Sequence, residues 1–93
     1  MLFLAMGLML LQAGQATAYR NCISRETPRL ERSGERPEDV ATAVVEACRA
    51  TMDRQLAELD HPENIIRQAR EVVIARARNH VIAEVVRIRA DRR

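Results

Sequence analysis

Apolar and polar positions divide the chain into four stretches. Residues 2–11 are a nearly unbroken apolar run, and a small-residue polar stretch carries it to Ala18. Downstream of Ala18 nothing alternates with period two. Apolar residues instead recur at steps of three and four, the spacing of one face of an α-helix. Tyr19, Ile23 and Leu30, with Cys22 beside Ile23, predict a first helix over about 19–32. Pro28 lies within it, where a proline removes one backbone hydrogen bond and strains another at about 3 kcal/mol. That helix is expected to be short, kinked or partly irregular. Val40, Val44, Cys48, Met52 and Leu59, thinned by Ala43 and Ala47, predict a second helix over about 37–59. Ile66, Ala69, Val73, Ala77, Val81, Val85 and Ile88 predict a long third helix over about 62–91.

The breaks between these stripes carry their own signals. In "ERSGERPED", Gly34 suits a left-handed helix stop and Pro37 a first helical position. Glu38 and Asp39 then fall in the first turn, where the positive end of the helix dipole favours acids. In "DHPEN", Asp60 can cap, Pro62 can start a helix and Glu63 completes an Asp-x-x-Glu capping pattern. One helix over 37–91 kinked at Pro62 is the alternative; the coincidence of cap, proline and acid favours a hairpin. The expected fold is therefore all-α, a helical hairpin plus a long third helix forming a small three-helix bundle.

The leading stretch adds a destination. Its apolar run is too short to span a bilayer, which takes about 20 residues. Ala16-Thr17-Ala18 puts small side chains where a signal peptidase accepts them. Residues 1–18 are read as a cleaved signal peptide, cut between Ala18 and Tyr19, and the protein as exported, periplasmic or secreted. No Lys or Arg precedes the run, so a short uncleaved anchor is the alternative. No Cys follows the junction directly, which argues against a lipid-anchored form.

The mature part, residues 19–93, is long enough for a single small domain. Its only aromatic residue is Tyr19, so Val, Ile, Leu, Met and Ala must build the core. Cores of this size rarely supply more than about 3–5 kcal/mol. The two cysteines bear on that shortfall. Cys22 and Cys48 are equidistant from position 35, inside the Gly34 turn, and so lie level in an antiparallel helix pair. Export removes the reducing environment, and a disulfide between them is expected. Closing a loop of that length stabilises by about 3.5 kcal/mol in the chain-entropy model. A redox-active pair is disfavoured, because no Cys-x-x-Cys is present.

Cys22, Ser33-Gly34-Glu35 and Ala47-Cys48-Arg49 together resemble a layout found in uncharacterised small exported bacterial α-helical proteins. These carry a cysteine near the mature N-terminus, a charged turn, and a helix ending in a motif like Ala-Cys-Arg. The resemblance covers about residues 19–59 and implies an exported, paired-cysteine helical hairpin. It implies no activity.

Candidate chemistry is sparse. His61, His80, Cys22 and Cys48 lack the close ligand pairs of structural zinc sites, and no metal or cofactor is expected. His80 and Glu84, one turn apart, could act as two metal ligands or a pH-responsive pair, though a simple hydrogen bond is the plainer reading. Ser24 and Ser33 have no histidine or acid arranged near them in sequence to make a nucleophile, and no glycine-rich phosphate loop occurs. A non-enzymatic protein is expected. Charge is more telling. Residues 19–63 hold seven Arg against ten acids, a net of −3, and residues 64–93 eight Arg against three acids, a net of +5. Arg67, Arg78 and Arg89 recur every eleven residues, which returns to nearly the same side of a helix. If the third helix folds back on the second, residues 85–93 overhang the bundle. Val85, Val86 and Ile88, with Arg67, Arg78, Arg89, Arg92 and Arg93, then form a candidate partner surface. The expected partner is an unidentified protein or a second copy engaged through the third helix. An anionic membrane surface is the alternative. Nucleic acid is disfavoured by the lack of aromatics for base stacking.

Overall fold

A computed structural model describes the backbone from Leu2 onward and side chains from Thr17 to Arg93. The expected export signal lies almost wholly outside the described side chains, and only its last two residues fall within them. Four helices follow one another: α1 (Leu2–Glu31), α2 (Pro37–Ala47), α3 (Arg49–Ala57) and α4 (Glu63–Asp91). Among the described residues there is no strand, and no helix is long and apolar enough to cross a membrane. The chain is all-α, and Cys22 is bonded to Cys48 with a Cα–Cα distance of 5.8 Å.

α1 is not cut short at Pro28. It continues to Glu31, with Pro28 one turn from its end. The proline deprives the Ser24 carbonyl of its i+4 donor. Thr27, buried beside it, donates its hydroxyl to the Ile23 carbonyl at 2.7 Å. The stop follows as the composition predicts. Ser33 and Gly34 donate back to the Leu30 and Glu31 carbonyls, and Gly34 takes φ +77°. α2 then starts at Pro37, with Glu38 and Asp39 in its first turn.

The expected helix over 37–59 is two helices. Cys48 departs from helical geometry (φ −100°, ψ 8°) and separates α2 from α3. Hydrogen bonds still run across it, from the Cys48 N–H to Val44 and from the Met52 N–H to Cys48, both at 3.1 Å. The buried row explains the interruption. Val40, Val44, Cys48, Met52 and Leu56 lie at strict four-residue steps. In a straight helix of 3.6 residues per turn such a row drifts about 40° per step. Restarting the helix at Cys48 keeps Met52 and Leu56 on the inner side. The row ends at Leu56; Leu59, expected on it, is 40% exposed in the turn that follows.

That turn is a genuine reversal, and α4 packs back along α2 more extensively than any other pair of helices. Asp60 does not cap it. α4 starts at Glu63 with Pro62 in the cap position, and the Pro62 carbonyl accepts the N–H groups of Ile65 and Ile66. The core sits where α1, α2 and the C-terminal half of α4 meet: Tyr19, Ile23, Val40, Val44, Val81 and Val85 are all buried. The N-terminal half of α4 is more thinly covered, with Ile66, Ala69 and Val73 only partly buried.

Candidate interaction surface

The two sides of α4 use their residues differently. On the inner side Ala77, Val81 and Val85 are buried, Val81 and Val85 completely. Val85 therefore belongs to the core and leaves the expected partner surface. The arginines spaced by eleven lie along the edges of this inner side. Arg78 is half-buried and donates to the Thr42 hydroxyl on α2, which itself donates to the Glu38 carbonyl. Arg89 donates to the Glu31 carboxylate from Nε at 3.2 Å and to the Glu31 carbonyl at 3.3 Å. Only Arg67, near the α3–α4 turn, stays exposed and uncommitted. The row does not form one free basic stripe.

Residues 85–93 do not overhang. Glu31, at the end of α1, has a side chain only 4% exposed and takes hydrogen bonds from both Arg89 and Arg92. An acid in the last turn of a helix faces the negative end of its dipole. Burial alone would push the Glu31 carboxyl up, but the hydrogen bonds and charges of Arg92 and Arg89 outweigh it and hold its pKa below the usual value. The last turns of α4 are thus tied to the end of α1. Arg93 remains exposed. The signal for this tie was present in the sequence: Ile23, Thr27 and Glu31 continue the α1 stripe at four-residue steps, and Arg89 and Arg92 are three apart.

Ser24, Thr27, Pro28, His80, Glu84, Arg87 and Ile88 line a groove of about 510 Å³ between α1 and α4. It brings a serine, a histidine and an acid together, yet no hydrogen bond joins them to one another. Glu84 is held by Arg87, from Nε at 3.2 Å and again through its terminal nitrogen, and Arg87 also reaches Asp91. The hydrogen bond from Arg87 is the main cause of the lowered Glu84 pKa, with the charges of Arg87 and His80 adding to it against desolvation. Glu84 is committed to the arginine and His80 is left exposed. Among the described residues no group of three or more His, Cys, Asp or Glu could hold a metal ion, and both cysteines are in the disulfide. His61 is exposed in the α3–α4 turn.

What remains is the outer side of α4. Ile65, Val72 and Val86 are 41%, 51% and 53% exposed, among the large apolar groups most open to solvent. Ala75 and Ala83 lie between them, also exposed. Val86 is the one apolar member of the expected surface that stays accessible; Ile88 is half-buried along the groove. A helix apolar on two opposite sides is usually covered on both.

No protein-family model, curated protein or solved structure that was searched matches the chain. Fold and covalent structure define its class: an all-α protein cross-linked by one disulfide between the first and second helical segments.

Proposed function

We propose that the protein is an exported, non-enzymatic binding module, a small three-helix bundle that engages a protein partner through the outer side of α4. One observation carries this reading: Ile65, Val72 and Val86, spaced by seven and fourteen residues, are exposed on a helix whose opposite side already fills the core. The Cys22–Cys48 bond is compatible with an oxidising compartment outside the reducing cytoplasm. The resemblance over residues 19–59 points the same way.

The second reading is attachment to anionic lipid through the basic C-terminal third. Its support is the net charge of +5 over residues 64–93. It is weakened by the use of Arg78, Arg89 and Arg92 within the bundle and by the pairing of Arg87 with Glu84 and Asp91. Pull-down from envelope extract, combined with sedimentation in the presence of anionic vesicles, separates the two. Val72→Asp with Val86→Asp should abolish capture of the protein partner while leaving the helical circular dichroism unchanged. Salt-sensitive pelleting with vesicles that ignores both substitutions would instead establish the lipid reading.

A further inference from the structure

The exposed row on α4 has the spacing of a coiled-coil seam. Ile65, Val72, Asn79 and Val86 recur every seven residues and all are exposed. In heptad terms these are the a positions, three of them β-branched, with a single asparagine among them. β-branched side chains at the a positions suit two parallel strands, and a single asparagine there fixes register at a cost in stability. The d positions, Gln68, Ala75 and Ile82, carry no leucine, so the a row supplies most of the apolar contact. Ala75, Ala83 and Ala90 on the same side leave room for a close approach.

We propose that this side of α4 is the seam of a parallel homodimer, with residues 65–86 of two copies paired in register. The inference rests on the reading of α4 as a binding surface and names its occupant. Charge selects both the occupant and its orientation. Glu71 and Arg76 flank the row on opposite edges, five residues apart; both are exposed and neither is paired within the chain. In a parallel pair, a residue at the g position meets the one five further along on the other helix. Glu71 of each copy then faces Arg76 of the other, giving two ion pairs across the seam. An antiparallel pair centred on the same row would instead bring the two Arg76 side chains together at its axis. Ala77, Val81 and Val85 point into the bundle on the far side of the helix, so the two cores lie outside the seam. The paired segment is about 33 Å long at 1.5 Å per residue.

Sedimentation equilibrium of the disulfide-bonded protein at about 100 µM should show a dimer. Val72→Asp should give a monomer of unchanged helicity. Glu71→Arg should weaken association by about tenfold, and adding Arg76→Glu to it should restore association, which a general loss of stability would not do. Asn79→Cys should cross-link readily to its counterpart, since in-register parallel helices set the two side by chain symmetry. A wild-type monomer at that concentration overturns the proposal, as does a charge exchange that fails to restore pairing. Should Val72→Asp disturb folding, the exposed Glu71 and Arg76 exchange still decides. A monomer that nevertheless captures an envelope protein through Val72 sinks the dimer and leaves the binding reading standing. A monomer whose captures ignore Val72 sinks both.

Discussion

Glu31 brings a charge to the place where α1 ends against α4, and its cost is met by two guanidinium groups rather than by water. Because Arg92 and Arg89 hold its carboxyl below the ordinary value near 4.5, the folded state binds that proton less readily than the unfolded chain does. The contribution of Glu31 is therefore complete above the ordinary carboxylate value and is lost as pH falls through the lower, folded one. Glu31→Gln should reduce the urea midpoint at pH 7 and flatten the fall in stability on acidification. Unfolding curves across that range check both; a variant whose acid profile matches wild type would remove Glu31 as the source. Thr27 and Glu31 were not legible as buried residues, because polarity argued against the positions that the four-residue step assigned to the core. Tyr19, Cys22 and Ile23 were legible, since period and side-chain type agree there. At the surface site the same limit applies to Arg78 and Arg89. Their spacing places them correctly on one side of the helix, but spacing cannot say that the side meets Thr42 and Glu31.

Pro28 shows how packing overrides a local preference. Alone it argues for a broken first helix, yet the turn that follows it carries Leu30 and Glu31 into contact with the core and with α4. Its side chain is exposed, so replacing it removes little packing. Pro28→Ala restores a donor to the Ser24 carbonyl and relieves a penalty of about 3 kcal/mol. Against that stands about 1 kcal/mol for the freer unfolded chain. A net gain of about 2 kcal/mol is expected, seen as a higher thermal midpoint; a neutral result would mean that α1 has already relaxed around the ring. Among the other elements, the α4 stripe was readable over its whole length because its three- and four-residue steps match the helical period. The row through α2 and α3 uses steps of four only, which no straight helix keeps on one side. The interruption at Cys48 is the structural answer, and it is why the core ends at Leu56 rather than Leu59. The start of α4 was readable from Pro62 and Glu63, but Asp60 lies too far upstream to cap a helix whose first residue is Glu63.

At the scale of the molecule, the core is made of small side chains. The largest that are fully buried are Val40, Val44, Val81, Val85, Thr27 and Cys48. Each covers modest apolar area, and among the described residues Tyr19 is the single aromatic one contributing. The disulfide closes a loop of 26 residues in sequence separation around the α1–α2 turn. It joins the one helix that lies before the α2–α4 hairpin to the junction of α2 and α3, midway along the hairpin's first arm. Without it, α1 is held by the packing of Tyr19, Ile23, Thr27 and Leu30 and by the Glu31 contact. The chain-entropy contribution of about 3.5 kcal/mol is comparable with the about 3–5 kcal/mol expected of so small a core. Replacing both cysteines by alanine should therefore lower the unfolding free energy by at least that amount, since two buried sulfurs also leave their packing. Hydrogen exchange should rise first over residues 19–31, the segment that the bond anchors to the hairpin, and later in α4. A double variant with nearly wild-type stability and an unchanged exchange pattern would show that the helices hold together by packing alone. The expected outcome instead ties folding to compartment: under reducing conditions the same chain loses a stabilisation comparable with what its core supplies, and α1 loses its covalent anchor to the α2–α4 hairpin.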